Sequence, residues 1–510
     1  MTLIHRRRLR AAGARLLAAL ALGLGLVLVL GLAGSAQAAP VLIMGPGGHV
    51  TASQDPFVPA GVPTPAPNMT ASEQATRAHV ARAHAARARR PPKSLQKTVR
   101  SELSRLLKAH SITSGQYAAD SGSFNAALST ERHLHGTPAA ELEAVIENLH
   151  DIAAAGKLTV GRLPVLFETL NYNRQWWASG NVPSSGGYVE FTGSPLVWEY
   201  YPGQGIELQV LATFGKANGM WTAGPADYPQ LEAILSQMIP LAVNRGGSLA
   251  WEYYFQFDGG QPPWTSAMSQ GTAIEALTRG YLATKDSTYL QLAHDALALF
   301  TAPPPIGVRV ATPLGARYVQ YTFTPGTSII NAFLQSLIGL YTYAQVSDDP
   351  LAQQLYNAGN AEAQAELPHF DTGAWSLYQP GIEDTLSYHQ LVTGFLQTLC
   401  QLTKVPVYCV TAQHFTAYLT TPPALSLLTQ RARRNRSFNL LFSLSKYSHV
   451  GIVVIGPGGH TLFETSADFG YGEGSFAVPA LRHKGTYTIH LAATDLAGNF
   501  NRIVATLQVS

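Results

Sequence analysis

The sequence predicts a multidomain α+β chain in which a long run of paired helices is followed by a C-terminal β-sandwich. Three observations predict it. Apolar residues recur at helical spacing through most of the middle of the chain, the period changes to two after about residue 437, and an aromatic, glycine-rich stretch with Pro-Gly breaks precedes the helical run.

The opening carries Arg6, Arg7, Arg8 and Arg10, an apolar run from Leu16 to Leu32, and small residues ending in Ala36-Gln37-Ala38. These are the three parts of a cleavable export signal over residues 1–38, so a secreted or extracytoplasmic protein is expected, with an N-terminal membrane anchor as the alternative. Removing 38 of the 510 residues also removes five arginines and takes the formal charge from +3 to −2. A balance so near neutral gives no reason to expect nucleic acid as a partner.

Residues 39–95 read as a flexible Pro/Ala/Arg-rich linker: Gly45-Pro46-Gly47-Gly48, alternating prolines near Pro63, then eight Lys/Arg between Arg77 and Arg100. The basic run could touch an anionic cell wall or membrane surface. A helical lead-in follows over 96–160, where Val99, Leu103 and Leu106, and then Leu142, Val145, Ile146, Leu149 and Ile152, fall on helix faces. From Leu163 to Glu207 the surplus of aromatics and glycine suggests short strands and loops. Helices are then expected at about 226–244, 266–283, 286–300, 327–345, 349–366, 383–403 and 409–420. Many carry small and aromatic residues on more than one face, which suits the inner helices of an (α/α) barrel or toroid over 161–428; a simple bundle is the alternative. Beyond the arginines at 431–436, Phe438/Leu440/Phe442/Leu444, Tyr487/Ile489/Leu491 and Ile503/Ala505/Leu507/Val509 alternate with polar neighbours, and Asp495 to Asn499 is a turn. A sandwich of immunoglobulin or fibronectin type is expected over 437–510.

Cys400 and Cys409 are candidates for a local disulfide if the chain meets an oxidising space. No Cys/His cluster has metal-ligand spacing, so no structural zinc is expected. The sequence contains no nucleophile elbow, P-loop, HExxH or dinucleotide fingerprint. What stands out is a surplus of tyrosine and tryptophan in the connections of a helical domain. Sugar rings stack on aromatic faces while their hydroxyls seek donors and acceptors, so this composition suits a carbohydrate cleft.

Four ordered blocks carry a more specific resemblance. They are Trp198-Glu-Tyr-Tyr-Pro-Gly-Gln-Gly-Ile-Glu-Leu208; Trp264 to Ile274 with Tyr281 to Asp286; Tyr321-Thr-Phe-Thr-Pro325 leading to Asn331 to Tyr341; and Phe370 to Tyr378 followed by Tyr388-His389. Together, over about residues 190–405, they resemble the catalytic α/α-barrel domain of the D-glucuronyl C5-epimerases, which convert glucuronate to iduronate in heparan-type chains. The resemblance implies an isomerase without metal or nicotinamide cofactor that acts on a uronic-acid-containing polysaccharide, and it allows a dimer. It implies active-site roles for Tyr321, Tyr378 and Tyr388, with Tyr388 as proton donor, Tyr378 across the ring and Tyr321 at its edge. Asn331, Gln320, His389 and Trp198 are the expected substrate contacts; His389 is a base candidate on its chemistry alone, ranked below the tyrosines, with a positioning role beside Tyr388 as its alternative.

Two departures from the family pattern bear on the chemistry. The family has a carboxylate immediately before the tyrosine matching Tyr321, where this chain has Gln320, and it has an arginine after the tyrosine matching Tyr378, where this chain reads Gln379-Pro-Gly-Ile-Glu383. Glu199 and Glu207 could supply the missing carboxylate, although ordinary surface or loop roles suit each of them better. A polysaccharide lyase starting from the same proton abstraction is a second enzyme reading. A glycan-binding surface protein without catalysis is the non-enzyme reading, which the two departures favour.

Overall fold

The computed structural model describes residues 39–58 and 93–510, with side chains in the first helix described from Thr98 onward. The export-signal expectation and residues 59–92 of the expected linker lie outside the described residues.

The start of the expected linker is instead ordered sheet. Strands β1 (Ala39–Met44) and β2 (Val50–Asp55) form an antiparallel hairpin, and β1 runs parallel to β3 (Tyr188–Phe191), with Val41 beside Tyr188. The Gly45-Pro-Gly-Gly-His49 stretch that looked like linker punctuation is the turn of this hairpin, with Gly47 and Gly48 at positive φ. Strands β4 (Trp198–Tyr201) and β5 (Gly205–Leu208) complete a five-stranded sheet in the order β2-β1-β3-β4-β5.

Four helices, α1 (Lys93–Lys108), α2 (Ser114–Glu131), α3 (Thr137–Ala154) and α4 (Leu163–Ala178), pack beside this sheet. Helix α4 corrects the expectation of strands and loops from Leu163 onward. Leu163, Leu166, Phe167, Leu170 and Trp177 are buried along one stripe, with Val165 and Trp176 buried beside it, so the aromatic surplus hid a helical period.

Eight further helices follow as pairs: α5 (Val210–Ala223) with α6 (Tyr228–Met238), α7 (Ala267–Thr284) with α8 (Thr288–Leu297), α9 (Ile330–Ser347) with α10 (Pro350–Glu366), and α11 (Leu386–Thr403) with α12 (Pro406–Tyr418). The first member of each pair packs on the first member of the next, which makes α5, α7, α9 and α11 an inner row. Helices α7 and α9 are buried on nearly every face, whereas α8 and α10 bury one stripe. The inner helices approach to backbone contact: a Cβ on Gly339 of α9 would lie 2.0 Å from the carbonyl oxygen of Gly271 on α7. Only glycine fits there.

Each passage from an outer helix into the next inner one carries a short hairpin: β6 (Val243–Arg245) with β7 (Ser248–Ala250), β8 (Arg309–Ala311) with β9 (Ala316–Tyr318), and β10 (Leu377–Gln379) with β11 (Ile382–Glu383). These hairpins bring their following loops to one end of the row, at the inner helices' N-termini. Cys400 and Cys409 are joined, tying α11 to α12.

The C-terminal part is two sheets over one apolar core. Strands β12 (Leu425–Leu427), β14 (Phe438–Leu444) and β17 (Gly472–Val478) form one in the order β12-β14-β17. The other runs β13-β19-β18-β15-β16, from strands β13 (Arg431–Ala432), β15 (Ser448–Ile455), β16 (Thr461–Phe469), β18 (Gly485–Asp495) and β19 (Phe500–Val509). Alternate residues Leu440 and Phe442, Val450, Ile452 and Val454, and Tyr487, Ile489 and Leu491 point into the shared core. The buried Tyr487 donates its hydroxyl hydrogen to the His483 carbonyl at 2.8 Å, fixing the entry to β18.

Among the described residues no helix is long and apolar enough to cross a membrane, and no group of three or more His, Cys, Asp or Glu side chains could hold a metal ion.

Candidate functional site

Strand alternation decides what β4 contributes. Trp198 and Tyr200 face α3 and α4, where Trp198 packs edge-on to Tyr172 and Phe191, and Tyr200 donates to the buried Glu141 at 2.8 Å. Their neighbours Glu199 and Tyr201 therefore face the other way, toward the inner helices. Glu199 pairs in register with Tyr188 on β3 and with Glu207 on β5, so these three side chains share that face. The turn between β4 and β5 is held by Glu141, which accepts the Gly203 N–H at 2.9 Å and the Gly205 N–H at 3.0 Å. Gly205 sits at φ 86°, and a Cβ there would lie 2.4 Å from Val145 and 2.7 Å from Asn173. This explains the Pro-Gly-Gln-Gly run in the first sequence block.

Glu199 is buried, and its Oε2 accepts hydrogen bonds from the Tyr201 hydroxyl at 2.9 Å and the Gln209 amide at 2.8 Å. Gln209 caps α5 and also meets Tyr253, whose hydroxyl lies 2.7 Å from the Ser269 hydroxyl on α7. Loss of water around Glu199 raises its carboxyl to about 7, against an ordinary 4.5, despite the two hydrogen bonds. Glu207 is raised well above its usual range by burial.

The three tyrosines named from the sequence meet beside this face. Tyr378 leaves β10, Tyr388 lies in the first turn of α11, and Tyr321 lies in the loop before α9. The rings of Tyr378 and Tyr388 are 4.9 Å apart between centres. Tyr378 and Tyr321 share a hydrogen bond, and Tyr388 feels Tyr321, Asp384, Glu199 and Tyr188. Burial first, and neighbouring phenols or carboxylates second, hold the Tyr378, Tyr388, Tyr188 and Tyr201 hydroxyls above the usual 10, so all are protonated at neutral pH. Tyr378, Tyr388, Tyr321 and Tyr201 nonetheless remain partly exposed. Trp264, Tyr321 and Phe323 continue the wall as an aromatic ladder, with Tyr253 stacked on Trp264 at 4.3 Å and Tyr321 stacked on Phe323 at 5.2 Å. Asn331 stands at the start of α9, with its Oδ1 accepting the Ala332 N–H at 2.8 Å.

Three of the expected contacts have other duties. Trp198 is fully buried on the face of β4 opposite Glu199 and Tyr201. His389 is fully buried and stacked on Trp375 at 3.8 Å; its Nε2 donates to the Phe415 carbonyl at 2.8 Å and its Nδ1 is met by Ser376 Oγ at 2.7 Å. Burial lowers it to about 4. It is a neutral ring enclosed at the start of α11. Gln320 accepts from Ser266 Oγ at 3.1 Å, which ties it to the N-cap of α7.

The structure also brings in side chains that sequence reasoning passed over or ranked low: Glu199, Glu207, Tyr188, Tyr201, Tyr253 and Gln209. The alternation within Trp-Glu-Tyr-Tyr was the available signal for Glu199 and Tyr201. The register that places Glu207 beside Glu199 depends on the β4–β5 turn and was not readable.

Residues 245–417 match the family model of the D-glucuronyl C5-epimerase C-terminus. A D-glucuronyl C5-epimerase of Caenorhabditis elegans is 34% identical over 178 residues, covering 31% of this chain and 29% of that protein. An uncharacterized protein of Methanocaldococcus jannaschii is 26% identical over 137 residues, covering 26% of this chain and 44% of that protein. The chain thus spans less than half the length of either relative. Among solved structures, a GH76 α-mannanase of Bacteroides thetaiotaomicron aligns with a TM-score of 0.31 at 12% identity, covering 41% of this chain and 59% of that one. A D-mannose isomerase aligns with a TM-score of 0.31 at 11% identity, covering 54% and 73%. Both scores are too low to place the fold. Residues 245–417, which hold Asn331 and all three tyrosines, are thus the part of the chain that is similar to the D-glucuronyl C5-epimerase C-terminus.

Proposed function

We propose that this protein is a carbohydrate epimerase that inverts C5 of uronic acid residues in a polysaccharide, and that it works outside the cytoplasm. The observation that carries the reading is Glu199, a buried carboxylate held at about 7, within electrostatic reach of the protonated phenol of Tyr388, whose ring stands 4.9 Å from that of Tyr378 at the N-terminal end of α11.

Inversion requires that the C5 hydrogen leave as a proton from one face of the sugar and that another arrive on the opposite face. Glu199 suits the first step, since a base works best when its pKa lies near the working pH. The C–H electron pair moves into the substrate carboxylate, and Tyr388 donates its phenolic proton to the other face of C5. Tyr378 and Tyr321, hydrogen-bonded to one another, flank the donor and can hydrogen-bond the developing charge. In this reading Glu199, which precedes the family-matched segment, takes the part of the carboxylate replaced by Gln320. No intermediate covalent to the protein is needed.

The pairing of inner and outer helices supports reading residues 161–428 as an (α/α) toroid closed by the sheet. The strand order of the C-terminal sheets and the tyrosine that closes the entry to β18 support an immunoglobulin or fibronectin kind of sandwich. The half-buried rings of Tyr321 and Phe323, stacked on one another, support a ligand with sugar rings.

Incubating the full chain with glucuronate- and iduronate-containing polymers in deuterated water tests the proposal. Deuterium at C5 with unchanged chain length is the expected result. Unsaturated, ultraviolet-absorbing ends would make the protein a lyase, and binding without label would make it a glycan-binding protein.

A further inference from the structure

The C-terminal sandwich meets the helical part at two places, the segment that carries two of the three tyrosines and the chain just at and beyond the end of α12. Strand β11 ends in Glu383, a fully buried carboxylate. Its Oε1 accepts the Tyr447 N–H and its Oε2 accepts the Tyr471 N–H, each at 2.9 Å. Both amides belong to the sandwich, Tyr447 in the connection from β14 to β15 and Tyr471 in the turn from β16 to β17. Glu383 pairs with Leu377 across the hairpin, next to Tyr378.

Lys446 reaches the same region from the sandwich and is also buried. Its ammonium pairs with Asp495 of β18 at 2.5 Å and donates to the Tyr418 carbonyl at 2.8 Å and the Thr421 carbonyl at 2.5 Å, where α12 ends. It lies 5.1 Å from the centre of the Trp375 ring. Trp375 in turn stacks on His389, the neighbour of Tyr388, and donates its Nε1 hydrogen to the Asp384 carbonyl at 2.8 Å. Asn499 and Asn501 add bonds to the Leu419 carbonyl at 3.0 Å and the Pro423 carbonyl at 2.8 Å. Domains that are merely tethered meet through exposed polar surface. Here two buried charges of opposite sign are each satisfied across or at the edge of the boundary, and both abut the hairpin and helix that present the phenols.

We propose that the sandwich is a positioning element of the active site: through Glu383 and Lys446 it fixes the β10–β11 hairpin against the first turn of α11 and so sets the placement of Tyr378 against Tyr388. Its catalytic consequence rests on the epimerase reading; its structural part does not. Reacting groups must be held within about 0.5 Å of their working geometry, and a misplacement of about 1 Å can cost about a hundredfold in rate. Glutamine at position 383 keeps the volume but turns its carboxamide NH2, a donor, toward one of the two sandwich N–H donors, loosening the clamp without emptying it.

The test compares the full chain with its Glu383→Gln and Lys446→Arg variants by hydrogen exchange of the amides from 376 to 389 and by the steady-state rates of C5 exchange. The expected result for Glu383→Gln is at least tenfold faster amide exchange in that segment, with kcat down by about tenfold to a hundredfold and KM little changed. Lys446→Arg, which keeps the charge, should fall between it and the parent. If both variants exchange those amides and turn over like the parent, the proposal is overturned. Should the parent itself show no C5 exchange, the epimerase reading fails on its own, and amide exchange alone then decides the clamp: unchanged protection overturns it and lost protection upholds it. A Glu383→Gln chain that fails to fold hands the decision to Lys446→Arg on the same two readouts.

Discussion

Replacing Glu199 by glutamine should make the protein more stable and nearly inactive, in a manner that depends on pH. A carboxyl held at about 7 instead of 4.5 corresponds to about 3 kcal/mol at about 1.36 kcal/mol per pH unit. The native carboxyl holds its proton more tightly than the unfolded one does. The associated stability is therefore fully present below 4.5 and is lost as the pH rises through 7. At pH 8 the parent bears an ionised, buried carboxylate that the variant lacks, so Glu199→Gln should melt a few degrees higher, roughly. At pH 4 both side chains are neutral and the difference should vanish. Glutamine can still accept from Tyr201 and Gln209 through its carbonyl, so the local hydrogen bonds survive. Activity moves the other way: without the base, C5 exchange should fall by about 10²- to 10⁴-fold. The parent's kcat/KM should rise about tenfold per pH unit up to about 7 and then level. Thermal melts of both proteins at pH 4, 6 and 8, paired with deuterium incorporation across the same range, check all of this. A variant that exchanges C5 as fast as the parent, or a melting difference that ignores pH, would refute the assignment of Glu199.

Tyr388→Phe keeps the ring that packs on Tyr378 but removes the transferable proton, so C5 exchange should drop by about 10²-fold or more with the melting temperature nearly unchanged, measured by label incorporation and calorimetry. Trp198→Ala should act on folding alone: removal of a fully buried indole costs about 3–5 kcal/mol in denaturant unfolding, while KM for the polymer stays as in the parent for whatever fraction folds. Gly339→Ala drives a methyl group into the Gly271 carbonyl, so α7 and α9 must separate; unfolding should begin at lower denaturant concentration, with a loss of about 1–3 kcal/mol.

The mixed helical and strand character and the β-rich C-terminal part were legible because they rest on period alone, 3.6 in α7 to α12 and two in β14 to β19. Helix α4 was hidden because its buried stripe is made of tryptophan, phenylalanine and leucine among residues that also suit strands. Residues 39–55 looked like linker because glycine and proline mark a hairpin turn as readily as a flexible tether, and only the distant β3 decides between them. The three tyrosines were found through ordered motif blocks, not through composition. Trp198 and Glu199 were misweighted in opposite senses, since adjacent strand residues face opposite ways and which face meets the cleft is settled by the helix packed behind. His389 carried the chemistry of a base, yet a carbonyl from α12 and a tryptophan ring close both sides of it.

The two-faced build of β4 has a practical consequence for redesign. A slip of one residue would exchange the faces wholesale, sending Trp198 and Tyr200 into the groove and pressing Glu199 and Tyr201 against α4, so insertions or deletions in this strand should never be tolerated. Substitutions restricted to 199 and 201, and to their neighbours 188 and 207 in the same row, leave the packing behind them untouched. The chemistry of that row can therefore be altered one side chain at a time, on a foundation that does not change.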